Sequence, residues 1–360
     1  MNKKNFFNVQ SNLGSIDHIQ AGIFDMNGIM RGKRLPATSY QKLIERGIQI
    51  PFSAQNIDIY GSDIESSKFV FKSGDKDGTA IWQGTPLVVL NHLPKPILLM
   101  PLSLTSNNGE LFEGCPRAFL KTVLQRIRDK QFIFKIGIEL EFCIFSGDDP
   151  NSIFSEPQLL SLLELDSIDH LLRDISHIME QLNIQWESIL SEAGIGQIEI
   201  VLAPCNDLCH LADCILILKH SLTAYAISKG VFISFEAKPK KRILGNGLHC
   251  HISLENFQSE NLFAKDDNIF RAAIGSILSI LESAMLILAP LSNSYSRLQG
   301  NSHAPINIGW GFDNRTVAVR VPNASLSAKR LELRVAGADS NPYLLFAILV
   351  SAILDGIDEM

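Results

Sequence analysis

The stretch that decides the fold is KIGIELEFCIF, residues 135–145, in which apolar and polar side chains alternate. A β-strand sends successive side chains to opposite faces. The pattern therefore predicts a strand with one buried face and a second face that carries Glu139 and Glu141. Three later stretches repeat the pattern with ligand-type side chains on the polar face: GQIEIVLA (196–203), GLHCHISL (247–254) and KRLELRVA (329–336). If the four strands share a sheet, their polar faces line one cavity.

Each of these strands, taken alone, has a simpler explanation. Glu139 and Glu141 could form the solvated face of an antiparallel strand. Glu332, between Arg330 and Arg334, could belong to a cross-strand ion-pair ladder worth about 1 kcal/mol at most. The joint occurrence favours a site instead, because the polar faces and the turn at Glu192 carry many Glu, His and Arg residues and almost no Lys. Such oxygen-rich sets suit Mg²⁺ or Mn²⁺ better than zinc, and two such ions would form a phosphoryl-transfer site.

Composition narrows the class of protein. At 360 residues, with 46% hydrophobic and 19% charged residues, the chain is long enough for two domains, each with a core. The net charge of −6 argues against nucleic acid as the main partner. No apolar stretch of signal-peptide type follows the first residues, and the two most apolar stretches, 268–290 and 341–354, are predicted to be buried helices. We therefore expect a cytoplasmic protein that does not contact a membrane.

The six cysteines do not follow the paired spacing of small disulfide-rich domains. Cys205, Cys209, His210 and Cys214 cluster, so a structural zinc site is conceivable. However, CxxC spacing is missing and residues 207–229 have the apolar period of a helix. Reduced, buried thiols are the favoured interpretation.

The order of patterns predicts two structured regions. Residues 1–15 are expected to form a tail and residues 16–104 a mostly β domain, with a hairpin turn at Met26–Gly28. The polar, turn-rich residues 105–117 are interpreted as a linker, and 118–360 as the second domain. Helices are predicted to begin at Pro116, to cover 156–184, 207–229 and 268–289, and to begin again at Asn341–Pro342.

The arginines supply a second kind of group. Five of them fall between residues 297 and 334, and guanidinium is the natural partner of phosphate and carboxylate oxygens. The sequence has no GxxxxGK[ST] run, so a Walker-type loop is excluded. Gly194-Ile195-Gly196 is not a dinucleotide fingerprint, because Glu199 stands where the third glycine belongs. No Ser-His-Asp or Cys-His pairing competes with this interpretation.

Seven blocks of the chain resemble, in order, the signature blocks of glutamine synthetases: GIELEF (137–142), SEAGIGQIEI (191–200), AKPKKRILGNGLHCHISL (237–254), NSYSRL (293–298), DNRTVAVRVP (313–322), LELR (331–334) and NPYLLFAILVSAILDGI (341–357). DMNGIMRGKRLP (25–36) and SGDKDG (73–78) resemble the small β-grasp domain of that family. The resemblance implies an α+β fold, with a β-grasp domain followed by a catalytic domain whose curved antiparallel sheet is flanked by helices.

The resemblance also implies roles for individual residues. One metal ion would be held by Glu141, Glu192 and Glu199, and a second by Glu139, His249 and Glu332. The glutamate substrate would contact Gly245, Arg297 and Arg334. The nucleotide would contact Glu187, His251 and Ser253, and its phosphates Arg315, Arg320 and Arg330. Arg315 and the loop residue His303 are the expected catalytic residues.

The implied reaction uses ATP, with Mg²⁺ or Mn²⁺, to phosphorylate the γ-carboxylate of glutamate, and an amine then attacks the acyl phosphate. Metals and arginines would neutralise charge on the transferring phosphoryl group.

Two positions differ from the pattern of ammonia-using enzymes. In LQGNSHAP (298–305), His303 stands where those enzymes carry a glutamate that helps to bind ammonium. In PFSAQNID (51–58), Ser53 aligns with their ammonium-deprotonating aspartate, for which Asp58 or Asp63 could substitute. WGFDNRT (310–316) also resembles the γ-glutamylpolyamine and γ-glutamylamide synthetase branch. A larger amine is therefore the expected nucleophile; ammonia, or a catalytically silent scaffold role, are the alternatives.

The last difference is length, because family chains usually continue beyond the final apolar block while this sequence ends at Met360. A homo-oligomer, a hexameric ring with sites shared between neighbours, is expected. Stacking of two such rings is left open.

Overall fold

The N-terminal region is built mainly from short strands. The computed structural model describes residues 13–91, 95–106, 108–146, 159–241, 243–300 and 302–360. Among them, the first strands and helix are β1 (His18–Phe24), β2 (Met30–Pro36), α1 (Tyr40–Arg46), β3 (Ile48–Pro51), β4 (Asp77–Ile81), β5 (Val88–Leu90), β6 (Ile97–Pro101) and β7 (Ser103–Thr105).

These strands form two small sheets, with the orders β2-β1-β6-β5 and β3-β4-β7. The predicted hairpin is confirmed, because β1 and β2 pair antiparallel across the turn that contains Asn27. Gly28 in this turn has φ +73°, a conformation that glycine adopts without strain. Asn341 joins the turn to the rest of the molecule by donating from Nδ2 to the carbonyls of Asp25 and Met26, at 3.2 and 3.1 Å.

The second region alternates helices with the strands of one large sheet. Its elements are α2 (Pro116–Asp129), β8 (Phe132–Ser146), α3 (Leu162–Ser167), α4 (Asp169–Leu182), β9 (Trp186–Ser191), β10 (Gln197–Cys205), α5 (Leu208–Lys229), β11 (Val231–Ser234), β12 (Leu248–Asn256), α6 (Leu262–Lys265), α7 (Asp267–Ile280), α8 (Met285–Leu288), β13 (Trp310–Phe312), β14 (Val319–Val321), β15 (Leu331–Leu333) and α9 (Pro342–Asp358).

The four strands predicted from the alternating pattern lie side by side in this sheet. Its order is β13-β14-β15-β12-β8-β10-β9, and β11 also pairs with β8. All of its pairs except β13–β14 are antiparallel. The register places polar residues directly opposite one another: Glu139 and His249, Glu141 and Glu199, His251 and Glu332. The shared sheet is therefore confirmed.

The other face of the sheet forms the main core. Ile136, Ile138 and Leu140 of β8 are fully buried in one hydrophobic cluster with α5 and α9. A second cluster lies in the N-terminal region around Ile19 and Leu98. Leu99, the neighbour of Leu98 on β6, points into the main core instead. The first small sheet therefore contributes side chains to both cores.

Two helix predictions need correction. The helix predicted over 156–184 is two helices, α3 and α4, and its predicted first residues, 156–158, lie outside the described part of the chain. The start of α3 is set by Ser161, whose hydroxyl accepts the N–H of Glu164. The helix predicted over 268–289 ends at Ile280 and resumes at Met285 as α8. Ser283 donates to the carbonyl of Ile280 at 3.0 Å, a local bond that competes with helix continuation.

The two ends of the predicted linker, residues 105–117, belong to secondary structure. Thr105 is the last residue of β7, and Pro116 is the first of α2. Arg117 forms a buried ion pair with Asp213, which also accepts the hydroxyl of Tyr343. The division into two domains stays a prediction.

All six cysteines are free, as the favoured interpretation expects; five of them are buried, and Cys205 is only partly buried. Within the described residues, α5 is the one helix long and apolar enough to cross a membrane, but 67% of its most apolar window is buried inside the fold. It is thus accounted for as a core helix, and the predicted cytoplasmic location stays a prediction.

Candidate metal and nucleotide site

Glu139 lies at the centre of the polar face of the sheet. Its Oε2 is 2.8 Å from Nδ1 of His249, and its Oε1 is 2.8 Å from Nε2 of His251. Arg297 approaches Nε2 of His249 at 3.1 Å, and Arg330 donates to Nδ1 of His251 at 3.2 Å. Because each arginine can only donate, the opposite ring nitrogens carry the hydrogens and both imidazoles donate to Glu139.

These bonds keep Glu139 ionised. Burial alone would raise the pKa of its carboxyl, but the hydrogen bonds from His249 and His251 outweigh burial and hold the pKa well below its usual range.

Two overlapping sets of side chains have the spacing of metal ligands. Glu139, Glu199 and His249 form one set, and Glu139, His251 and Glu332 the other, with ligand atoms within 4.8 Å of one another. Glu139 is common to both. The sets differ from the predicted grouping, in which His251 contacted the nucleotide and Glu199 shared an ion with Glu141 and Glu192. That grouping stays a prediction.

Carboxylates crowd around Glu199. Burial and the charges of Glu139, Glu141 and Glu192 raise the pKa of its carboxyl to about 9. The pKa of Glu192 is also raised, mainly by burial. A divalent cation would offset this repulsion, and a set of carboxylate oxygens with imidazole nitrogen suits Mg²⁺ or Mn²⁺. The residues present therefore fit the expected ions.

Glu332 is fully buried and held by two arginines. Arg320 donates to its Oε2 at 2.8 Å, and Arg334 donates to its Oε1. Burial opposes ionisation, but the charge of Arg334 lowers the pKa of Glu332 below its usual value. Arg320 also pairs with Asp313 at 2.7 Å. Both oxygens of this predicted metal ligand thus already carry a guanidinium partner.

A glycine-rich loop packs closely over Arg297. Arg297 is itself buried, with 3% of its surface exposed, and donates to the carbonyls of Val335 and Arg334. A Cβ at Gly245 would lie 2.8 Å from Cγ of Arg297, and one at Gly247 would lie 2.7 Å from its NH2 atom. Only glycine lets the backbone of this loop lie against the guanidinium.

Arg315 and His303, the two residues predicted to be catalytic, contact Arg334 of the site through their backbone carbonyls. Arg334 donates from Nε to the carbonyl of Arg315 at 3.2 Å and from NH2 to the carbonyl of His303 at 3.5 Å. His303 is exposed and has φ +53°, a left-handed conformation that is uncommon outside glycine. The loop is therefore tied to the arginine that also binds Glu332.

A cleft of about 470 Å³ adjoins Glu139, within the size range of small-molecule sites. Lys135 and Glu255, an ion pair at 2.7 Å, line the same cleft. The structure brings four of the predicted nucleotide contacts together here: Glu187, His251, Ser253 and Arg330.

Ser53, Asp58 and Asp63 lie in the N-terminal region. Ser53 is buried, and Asp58 accepts backbone N–H groups of its own loop. Among the described residues, no hydrogen bond or ion pair connects these three to Glu139 and its neighbours.

Sequence reasoning missed two contributors to the site. Gln197 lies on the predicted polar face of the strand at 196–203, and it donates to Glu141 at 3.0 Å. Asn246 is fully buried, and its side chain fixes the loop between Gly245 and Gly247. Its position between two glycines was the only signal available.

Known proteins are similar to this chain over most of its length. The family described as glutamine synthetase, catalytic domain, matches residues 113–360. The chain is 31% identical to the γ-glutamylputrescine synthetase PuuA of Escherichia coli K12, over 95% of this chain and 76% of that protein. It is 32% identical to the glutamine synthetase of Thermococcus kodakarensis, over 93% of this chain and 73% of that protein.

Solved structures share the fold. A complex of GmaS with ADP superposes with a TM-score of 0.81 and 25% identity, over 98% of this chain and 81% of that one. A glutamine synthase homologue superposes with a TM-score of 0.83 and 21% identity, over 96% and 83% of the two chains. The α+β fold, with its large antiparallel sheet flanked by helices, is therefore confirmed.

Proposed function

This chain belongs to the glutamine synthetase family, and from that premise we propose that it joins the γ-carboxylate of glutamate to an organic amine through γ-glutamyl phosphate. The related glutamine synthetases and γ-glutamylputrescine synthetase are ATP-dependent ligases that form carbon–nitrogen bonds. The choice of amine over ammonia is the specific part of the proposal.

The observation that carries the proposal is the cluster around Glu139 beside a cleft of about 470 Å³. A divalent ion in this cluster would supply charge neutralisation for phosphoryl transfer. We assign ion binding to the acidic cluster and its histidine, namely Glu139, Glu141, Glu192, Glu199, His249 and Glu332.

The arginines and the glycine loop would handle the substrates. We assign contact with glutamate to Gly245, Arg297 and Arg334; in support, Arg297 is held by hydrogen bonds to two backbone carbonyls. Arg315, Arg320 and Arg330 would bind phosphate oxygens. Arg320 is already oriented by Asp313 and Glu332, so its guanidinium costs little ordering on binding.

His303 supports an amine larger than ammonia. Its loop is anchored to Arg334 and His303 is exposed, and by the family resemblance this residue stands where ammonia-using enzymes carry a glutamate that helps to bind ammonium. The likeness to a γ-glutamylputrescine synthetase points the same way. Glutamine synthesis from ammonia is the second candidate, favoured by the 32% identity with an archaeal glutamine synthetase. We further propose a homo-oligomeric assembly.

The deciding experiment measures phosphate release from ATP with glutamate, Mg²⁺ and a panel of amines that contains ammonia, monoamines and diamines. Faster release with an organic amine than with ammonia, and a γ-glutamyl amide product by mass spectrometry, are expected. Preference for ammonia would replace the proposal with glutamine synthesis. Tight Mg·ATP binding without turnover on any acid–amine pair would instead indicate a catalytically silent family member.

A further inference from the structure

Gln197 opens β10 beside the acidic cluster, and only 3% of its surface is exposed. Its Oε1 accepts the backbone N–H of Gly194 at 2.9 Å, which fixes the orientation of the amide. A Cβ at position 194 would lie 2.5 Å from this oxygen, so the turn closes on the amide because residue 194 is glycine. Nε2 is thereby directed away from the turn.

Three acceptors compete for Nε2 of Gln197. Oε2 of Glu141 and the carbonyl oxygen of Gly245 each lie at 3.0 Å, and Oδ1 of Asn246 lies at 3.2 Å. A primary amide nitrogen carries two hydrogens, so at most two of the three acceptors are satisfied at once. One acceptor belongs to a proposed metal ligand, and the other two belong to the loop proposed to contact the acid substrate.

The two carboxylate oxygens of Glu141 face different neighbours, one in the loop and one in the acidic cluster. Its Oε2 also accepts the N–H of Gly247 at 2.7 Å, whereas its Oε1 lies 3.8 Å from Nδ1 of His249. A cation bound to this carboxylate withdraws charge from it, and a less charged carboxylate is a weaker hydrogen-bond acceptor. Cation binding therefore weakens the hydrogen bond from Gln197 to Glu141 and favours the hydrogen bonds from Gln197 to Gly245 and Asn246.

A stronger hydrogen bond from Gln197 to Asn246 affects the loop, because the backbone N–H and Nδ2 of Asn246 are already hydrogen-bonded to neighbouring segments. Its N–H donates to the carbonyl of Ala237 at 3.0 Å, and its Nδ2 donates to the carbonyls of Ser234 and Glu236 at 3.2 and 2.9 Å. A stronger bond from Gln197 to Oδ1 adds a further constraint to a side chain that already joins the loop to β11 and the segment after it.

We propose that Gln197 is a positioning residue that couples occupancy of the metal site to the order of the backbone at Gly245 and Asn246. An acid substrate would then meet a loop that the ion has already ordered. The metal ligand and the acid site rest on the proposed function, but the coupling itself concerns the ion and the loop alone.

Hydrogen–deuterium exchange of peptides that contain Asn246 tests the coupling without any substrate. In the wild-type protein, Mn²⁺ is expected to slow exchange of these amides by a factor of about 5 or more, the lower end of typical couplings. Gln197→Met keeps the length of the side chain and removes both donors. This variant is expected to bind Mn²⁺, followed by electron paramagnetic resonance, but to lose the effect of Mn²⁺ on exchange.

Gln197→Glu is the second variant, because it keeps an acceptor for Gly194 and removes the donors to the loop; the same loss is expected. Gln125→Met on α2 is the matched control, since Gln125 is exposed and, within the described part of the chain, its side chain donates to Asp129 on its own helix. It should keep the wild-type response.

Two results would overturn the coupling: wild-type peptides that do not respond to Mn²⁺, or Gln197 variants that respond as the wild type does. Failure of the proposed ligase activity is distinguished by phosphate release, which these exchange experiments do not use. A protein that shows the Mn²⁺ effect but no turnover supports the coupling and counts against the ligase.

Discussion

Nδ1 of His249 lies 2.8 Å from Oε2 of Glu139, directly opposite it in the ladder between β8 and β12. The next polar residue on β12, His251, reaches the other oxygen of the same carboxylate. One glutamate is thus shared by two imidazoles, and it belongs to both sets of side chains that have metal-ligand spacing. Glu139 is therefore the residue on which ion binding depends most.

Glu139→Gln should weaken Mn²⁺ binding by about 100-fold or more, beyond the 10–100-fold typical of outer-shell partners. The substitution removes a charge from both candidate ion sites. Titration followed by electron paramagnetic resonance measures the change. Glu113→Gln is the control, because Glu113 is exposed and its ion pair among the described residues is with the exposed Lys68. Unchanged affinity in Glu139→Gln would show that the ions bind elsewhere.

Mn²⁺ binding should release protons through Glu199, whose pKa of about 9 means that it carries a proton at neutral pH in chelator-treated protein. The ion binds the ionised carboxylate, so affinity should rise with pH up to about 9. Calorimetry in two buffers of different ionisation enthalpy counts the protons. Glu199→Gln cannot titrate and should release fewer; equal release would refute the assignment.

The same carboxyl gives the stability of chelator-treated protein a defined pH dependence. The folded-state pKa of Glu199 is raised above the ordinary 4.5, so the folded protein holds a proton that the unfolded chain releases. Its contribution to the free energy of unfolding is fully present below about pH 4.5 and is lost as pH rises toward about 9. Urea unfolding at several pH values measures this slope, and Glu199→Gln should flatten it.

Glu332→Gln should lower the free energy of unfolding by about 3–5 kcal/mol, as expected when one partner of a buried ion pair is removed. The substitution leaves the guanidinium groups of Arg320 and Arg334 without their buried counter-charge. The fold should persist, while one ion site weakens and phosphoryl transfer stops. Urea unfolding gives the stability, with Glu113→Gln again as the exposed control. A stability equal to wild type would contradict the buried pairing.

Gly247→Ala should disturb the cluster directly, because the new Cβ would lie 2.5 Å from Nε2 of His249 and 2.7 Å from NH2 of Arg297. A loss of glutamate-dependent phosphate release and weaker Mn²⁺ binding are expected. Gly275→Ala is the matched control, since a Cβ added there in α7 would meet no described atom within 4 Å beyond the adjacent backbone of its own helix. It should raise stability by about 0.5–1 kcal/mol and leave activity intact. Equal behaviour of the two variants would rule out the close approach.

His303→Glu should raise the use of ammonia relative to organic amines, because a carboxylate at this exposed position restores an electrostatic attraction for ammonium. The loop can accept the change, since it is held through the backbone carbonyl of His303 rather than its ring. Competition between ammonium and the preferred amine, with mass spectrometry of the products, measures the shift. His303→Gln should show no gain, and a gain with glutamine equal to that with glutamate would refute the electrostatic explanation.

The alternating patterns were sufficient to find the sheet and the residues on its polar face. KIGIELEFCIF and GLHCHISL each place ligand-type residues at every second position, and the structure pairs them as neighbours, with Glu139 opposite His249. Helix boundaries were less accurate at 156–184 and 268–289, where Ser161 and Ser283 form local hydrogen bonds with the backbone. Such bonds depend on the exact course of the chain, which periodicity does not encode.

The sequence by itself determined which residues share a face, because the period of a strand is a local property of the backbone. Only the tertiary structure decided how the faces combine: both oxygens of Glu332 meet arginines, Glu199 is crowded by like charges, and Gln197 joins Glu141 to the loop at Gly245. Burial and distance between residues far apart in the chain set these properties, since electrostatic and hydrogen-bond energies depend on separation and solvent exposure rather than on order along the sequence.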